Sequence, residues 1–319
     1  MNKSNDFEVT KIPIAELVPF KNHIFKPYDD KRMNTLLASV KENGIIHPIV
    51  VRKITGKDSK EKFEIISGHN RVKAAKLAGQ TEVPAVVKEL SDDEAVILSN
   101  EANIESRNFS TWLPSEKIKS INQYHSAVKN QGNKKNSKTT SGDNRQKSDD
   151  DYARQKTAAA YGQSNSTIRV YIKLYELIEP LLDKLDMEDF GTTPAYEIAF
   201  ISPEGQSLVS SVLDEDKKMY KITVKRSERL RAFFENEIDD SMIKNDSESV
   251  KTKIREILIQ SKIDNTNDGL AKDIIYIPMS KEKYIEFFPD DKHQEDVVDY
   301  IIKALDRYKS QEDANNGEI

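Results

Sequence analysis

Ile65-Ile66-Ser67-Gly68-His69-Asn70-Arg71-Val72-Lys73-Ala74-Ala75-Lys76-Leu77-Ala78-Gly79 is the stretch that decides how this chain folds. Phe63 to Ile66 alternates into a β-rich run, Ser67-Gly68 breaks it, and Val72 to Leu77 favours helix until Gly79. A strand that turns through Gly into a helix presents free backbone N–H groups and a positive dipole end to an anion. Arg71 and Lys73 add positive charge where that anion would sit. The pattern describes a phosphate-binding corner. An ordinary strand–turn–helix with solvated basic residues has the same local appearance.

Outward from this corner, several segments repeat a recognisable order. Ile12-Pro13-Ile14-Ala15-Glu16-Leu17-Val18-Pro19 precedes a helical run from Met33 to Val40. Asn43-Gly44-Ile45-Ile46-His47-Pro48-Ile49-Val50-Val51-Arg52 then leads into a strand, and Val83-Pro84-Ala85-Val86-Val87 reads as another after the corner. This order, with Gly68-His69-Asn70-Arg71-Val72-Lys73-Ala74-Ala75 as a variant of a Gly-Glu-Arg-Arg-x-Arg-Ala-Ala box, resembles the ParB-type partition proteins from about Phe7 to Phe200.

The resemblance implies an α+β N-terminal domain of the ParB/sulfiredoxin-like kind over residues 7–112. It implies nucleotide binding, by likeness CTP with Mg²⁺, through Gly68, His69, Asn70, Arg71, Lys73 and Ala74. Three departures stand out. His69 and Asn70 replace Glu and Arg of the box, and Asn22-His23-Ile24-Phe25-Lys26 stands where the family has an early Gln-Pro-Arg. The family's Glu-Asn-x-Gln-Arg, whose first two residues hold Mg²⁺, corresponds to Glu101-Ala102-Asn103-Ile104-Glu105-Ser106-Arg107. Asn103 takes a metal-ligand place with Glu101 or Glu105 as substitute carboxylate, because Ala102 occupies the position of the Glu. Oxygen ligands of this kind suit Mg²⁺. The altered register argues against hydrolysis more than against binding.

Composition sets the remaining bounds. A chain of 319 residues with 37% hydrophobic and 32% charged residues suits two or three domains joined by polar segments. No apolar run reaches membrane-spanning length, and Met1 to Glu8 lacks a basic-then-apolar leader pattern. A cytoplasmic location with no membrane partner is expected. The absence of cysteine removes disulfides, thiolate zinc sites and cysteine nucleophiles. It also excludes sulfiredoxin chemistry on the same N-terminal fold, since that enzyme needs a catalytic Cys. The His residues are scattered without metal-site spacing.

The net charge of −5 hides an asymmetry, because Lys117 to Lys173 carries +8 and the rest −13. Such a distribution points to a nucleic-acid contact in the middle of the chain. A basic polar insert at about 131–150, rich in Asn, Lys, Ser, Thr and Asp, reads as disordered and accounts for part of that charge. Before it, Ser91-Asp92-Asp93-Glu94 reads as an N-cap with an acidic first turn, and Pro114-Ser115-Glu116 starts another helix.

After the insert, Tyr152 to Tyr161 forms an Ala-rich helix closed by Gly162, and Ser164 caps a second helix. Ala158 supplies the small side chain wanted at a helix crossing, and Ile168 with Tyr171 faces the shared core. Ser164, Asn165, Ser166, Thr167 and Arg169, with Lys173 one turn on, are candidates for base-edge or phosphate contacts in a major groove. Helix pairs joined by a Gly turn also occur in proteins that never touch DNA. The position after the nucleotide box, by likeness to ParB proteins, favours a helix-turn-helix at about 152–175 in an all-α domain spanning 113–212.

The C-terminal third reads as a small α/β or helical module over 218–310 with a flexible tail at 311–319. Tyr220 to Val224 is extended and leads into a helix capped at Ser227. Val250 to Ile259 is helical, Asp273 to Pro278 a strand, and Glu295 to Tyr308 an amphipathic helix with a Val297, Val298, Ile301, Ile302, Leu305 stripe. By likeness this end dimerises the protein. The whole describes a centromere-binding partition protein of a plasmid or mobile element, a homodimer on double-stranded DNA moved by a ParA-type ATPase. A ParB-like transcriptional or nucleoid-occlusion regulator carries the same motifs without that ATPase. A nucleotide-dependent enzyme on the N-terminal fold has no use for the helix pair.

Overall fold

The computed structural model describes residues 8–55, 61–136, 143–216, 219–238 and 240–264. These lie in a compact unit that ends at Ser261, apart from the last turn of the final described helix. The N-terminal region builds a five-stranded mixed sheet. In chain order its elements are β1 (Val9–Pro13), β2 (Leu17–Pro19), α1 (Asp30–Asn43), β3 (Ile49–Thr55), β4 (Glu61–Ser67), α2 (His69–Leu77) and β5 (Glu82–Val87). The spatial order is β1-β5-β3-β4-β2. β1/β5 and β3/β4 pair antiparallel, whereas β3/β5 and β2/β4 pair parallel.

Strand alternation sends Ile65 and Ile66 to opposite faces. Ile65 joins Ile49, Val51, Val83 and Ala85 under Met33, Val40, Val72 and Ala75 of α1 and α2. Ile66 instead meets Phe20 together with Ala95 and Val96 of α3 (Asp92–Ser106). Ser91 caps α3 in a full capping box with Glu94, as its sequence predicts. β3 and β4 also carry a buried ion pair. Arg52 Nε donates to Glu64 Oε2 at 2.7 Å, its NH2 reaches Asp92 at 2.7 Å, and its NH1 donates to the Leu90 carbonyl. The other Glu64 oxygen accepts the Lys21 amide, so both charges are satisfied.

Helices continue the chain as α4 (Pro114–Asn136), α5 (Asp143–Tyr161), α6 (Asn165–Leu174), α7 (Glu179–Asp186), α8 (Thr192–Ile198) and α9 (Pro203–Glu215). They are followed by α10 (Val224–Asn236), α11 (Asp240–Asn245) and α12 (Ser247–Asp264). Three expectations are corrected here. The insert at about 131–150 is not coil where it is described, since 131–136 end α4 and 143–150 begin α5. Its anchor is Asp150, which takes Lys129 of α4 at 2.9 Å and Arg154 at 2.6 Å and so holds α5 against α4.

The second correction concerns α10, which starts at Val224 with the Thr223 side chain accepting from the Arg226 amide, so Ser227 lies inside the helix. The third concerns the division near 212–218. Leu230 of α10 and Val250, Ile254 and Leu258 of α12 share one core with Leu174, Leu181, Ile198 and Val209. The described part of the C-terminal third therefore packs with the preceding helices. The predicted strand at 273–278, the helix at 295–308 and the tail at 311–319 lie outside the described residues.

Candidate nucleotide cleft and helix pair

The corner at Gly68 forms as its residues predict. Gly68 has φ +104°, and a Cβ there would stand 2.7 Å from Ile49 Cγ2, so both backbone and space require glycine. No side chain caps α2, which leaves its first-turn amides facing a cleft of about 500 Å³. His23, Phe25, Tyr28, Gly68, His69, Asn70 and Arg71 form one wall. Ala102, Asn103, Glu105, Ser106 and Arg107, from the end of α3, form the other.

Each side chain has a determined role in the geometry. Asn70 Oδ1 accepts the Tyr28 amide at 3.2 Å, fixing the segment before α1. Arg71 donates to the carbonyls of His47 and Pro48, the latter at 2.8 Å, and burial lowers its pKa. It braces the approach to β3 as well as lining the cleft. His69 Nε2 accepts the Phe20 amide at 3.3 Å, and its ring stacks on His23 at 3.7 Å. Burial, then the neighbouring His23, lowers the His69 pKa to about 3, so the ring is neutral near pH 7. Arg107 donates to Glu116 at 3.2 Å and lies over the Phe25 and Trp112 rings.

Two predicted nucleotide residues fall outside this cleft. Ala74 is fully buried in the core beneath the sheet, and Lys73 is exposed away from the lining. Both stand one turn further along α2 than His69 and Asn70, set back from the helix N-terminus that opens on the cleft. Of the metal candidates, Asn103 lines the cleft and its Nδ2 donates to the Ser99 carbonyl, which leaves its oxygen available. Glu101 does not line it, because its carboxylate accepts the Tyr124 hydroxyl at 3.0 Å. Glu105 is the carboxylate on the cleft wall. Among the described residues no cluster of three or more acidic or histidine side chains could hold a metal. Asn103 and Glu105 offer oxygen donors of the kind magnesium takes, too few to hold the ion by themselves.

His23, Phe25, Tyr28, Glu105 and Arg107 were not among the predicted site residues. Glu105 and Arg107 did stand in the stretch matched to the family's Glu-Asn-x-Gln-Arg. For Phe25 and Tyr28 the aromatic spacing of Phe20 to Tyr28 was the available signal, since loop positions carry no periodicity.

The second candidate site is the α5–α6 pair. Gly162 turns the chain at φ +61° with open space around it. The Ser164 hydroxyl accepts the Thr167 amide at 3.1 Å and lies within 2.8 Å of the Ser166 and Thr167 hydroxyl oxygens. Ile168 is fully buried, while Asn165, Ser166 and Arg169 are exposed at the start of α6. Lys173 points elsewhere. Its ammonium pairs with Glu176 and sits 4.2 Å from the Phe200 ring centre. The basic surface is also smaller than the charge count suggests. Lys119 pairs with Glu179, Lys129 with Asp150, and Arg154 with Asp150 and Asp151.

Residues 1–104 match the family model described as the ParB N-terminal domain. The chain is 22% identical over 288 residues to the nucleoid occlusion protein of Halalkalibacterium halodurans, covering 90% of each chain. It is 29% identical over 120 residues to a probable chromosome-partitioning protein ParB of Neisseria meningitidis, covering 38% of this chain and 40% of that one. Among solved structures, the C-terminally truncated ParB of Caulobacter crescentus bound to the centromeric parS site overlays at a TM-score of 0.36 and 18% identity. That overlay covers 70% of this chain and 98% of the other. The same protein with CTP-gamma-S scores 0.28 at 19% identity, covering 64% and 97%. Among the described residues no helix is long and apolar enough to cross a membrane.

Proposed function

We propose, for a chain that belongs to the ParB-type partition family through its first 104 residues, a sequence-specific DNA-binding protein whose N-terminal cleft takes a nucleoside triphosphate. One observation carries the reading. An uncapped helix N-terminus behind a left-handed Gly68 opens into a cleft with Arg71 and Arg107 in its walls. Backbone amides, a helix dipole and fixed positive charge together suit phosphate groups. CTP is the nucleotide that family likeness favours, and Asn103 with Glu105 would hold the Mg²⁺ that accompanies it, which would offset phosphate charge. Ala102 places no carboxylate where the family pattern has one, so the cleft is assigned binding and switching, not rapid hydrolysis.

In this reading the α5–α6 pair reads DNA. The exposed start of α6, from Ser164 to Arg169, supports base and phosphate contacts in the major groove. The protein acts as a homodimer that loads at a palindromic site, and a ParA-type ATPase moves the complex. A nucleoid-occlusion regulator is the second reading, favoured by the relative that aligns over 90% of both chains. Chromatin immunoprecipitation with sequencing separates them. One spread peak beside an ATPase gene supports partition, whereas many dispersed sites across the chromosome support occlusion. Titration calorimetry with CTP, ATP, GTP and UTP tests the cleft, and absence of binding by all four removes the switch.

A further inference from the structure

The cleft holds a feature that the ParB-type pattern lacks. His69 stands where the box has Glu, and His23 lies in the segment that replaces the Gln-Pro-Arg tripeptide. The two rings come from distant parts of the chain and stack at 3.7 Å with planes 18° apart. The pair is not symmetric in its bonding. His69 Nε2 accepts the Phe20 amide, so the neutral ring carries its proton on Nδ1. His23 Nδ1 is buried without a hydrogen-bond partner among the described residues. A buried ring nitrogen left unmatched is costly and calls for a partner or a proton.

We propose that the His23–His69 stack is a proton-accepting element of the cleft, with His23 taking one proton when a phosphate group enters. The proposal rests on the cleft being a triphosphate site. The charged groups around the pair give the direction. Arg71 and Arg107 face it from α2 and the end of α3, Glu105 shares the wall, and Glu116 at the start of α4 is committed to Arg107. Tyr28 closes the near side. With the cleft empty, cations outweigh available anions, and both rings stay neutral. Burial and then Arg107 hold the His23 pKa below its ordinary value, partly opposed by Glu116. A phosphate brings negative charge that offsets the arginines, and protonation of His23 becomes favourable.

The proton comes from solvent, no other bond forms or breaks, and stacking limits the pair to one charge because two imidazolium rings at this distance repel. By linkage, a group that gains a proton on binding makes binding tighter as pH falls, between its free and bound pKa values.

The test is calorimetric titration of the full chain with CTP, and separately with tripolyphosphate, at fixed magnesium in buffers of different ionisation heat. We expect uptake of about half a proton or more per CTP at pH 6, the fraction for a group titrating near that pH. Affinity relative to H23Q rises several-fold from pH 8 to pH 6, within the limit of about tenfold per pH unit for one proton. Protonation of the nucleotide itself appears equally in H23Q and drops out of the comparison. Titration of the His23 ring by NMR in the unmodified chain, with and without CTP, needs no variant and should show its pKa raised by the ligand. Equal proton uptake in both proteins, or an unmoved ring pKa, overturns the proposal while leaving nucleotide binding intact. Failure of the unmodified chain to bind either anion overturns the cleft reading and this proposal with it.

Discussion

Arg71 shows how one residue can serve an expected purpose and an unexpected one. Sequence alone placed it as a phosphate ligand. In the structure its guanidinium also holds the His47 and Pro48 carbonyls. Arg71→Ala should therefore weaken triphosphate binding and lower stability together, each by roughly 1.5–3 kcal/mol, the range for hydrogen bonds to a charged group. Calorimetric titration and thermal melting read the two losses separately. An unchanged melting temperature would mean that the carbonyl contacts contribute nothing. His69 gives a pH dependence of known sign. Its folded pKa is lowered to about 3, so below about 6.5 the unfolded chain binds a proton that the folded chain refuses. Stability should fall as pH drops from 7 toward 4, less steeply in His69→Gln, as followed by denaturant midpoints. The glycine at 68 was readable from sequence because φ > 0 is a local demand. The stacking of His69 on His23 was not, because nothing in either segment announces the other.

Among elements, local signals survived and long-range ones did not. Ser91 and Glu94 form the capping box, and Gly162 with Ser164 turns and caps as read, since each motif closes within four residues. The start of α5 was missed because it depends on Asp150 meeting Lys129 across two helices. The contacts of Lys173 were unreadable for a similar reason. Its spacing on α6 put it in line with Arg169, while its ammonium pairs with Glu176 and lies over Phe200 in the turn after α8. Arg169→Ala should cost about 1–3 kcal/mol on a cognate DNA site if Arg169 reads a base. Lys173→Ala should instead lower the melting temperature with little effect on site preference. Fluorescence anisotropy on specific and scrambled duplexes separates them, and the reverse pattern would reassign the reading face. Within the sheet, Glu64→Ala removes the buried one of the two carboxylates that pair with Arg52 and should cost up to about 3–5 kcal/mol, with Asp92 keeping the arginine partly paired. Replacing Arg52 and Glu64 together by apolar residues should recover much of that, as measured by chemical denaturation.

At the scale of the molecule, the division of the chain was the least readable property. The pattern of elements suggested a break near 212–218, but the core assigns Leu230, Ile254 and Leu258 to the same cluster as Leu174 and Leu181. Apolar periodicity shows that a helix has a buried face without saying which neighbour covers it. The consequence is a truncation experiment. Each large apolar side chain returned to water costs roughly 1.5–3 kcal/mol, and a whole domain is stable by only about 5–15 kcal/mol. A chain cut after Glu215 loses α10 and α12 together, and with them Leu230, Phe233, Val250, Ile254 and Leu258 from that core. It should lose cooperative melting of its helical part, bind a hydrophobic dye and fail to select DNA. A chain cut after Asp264 keeps the core and should melt cooperatively with its site preference retained. If residues 265–319 carry dimerisation, sedimentation should find that second chain monomeric, with affinity for a palindromic duplex reduced more than affinity for a half-site. Cooperative melting of the shorter chain would place the break where the sequence pattern first suggested it.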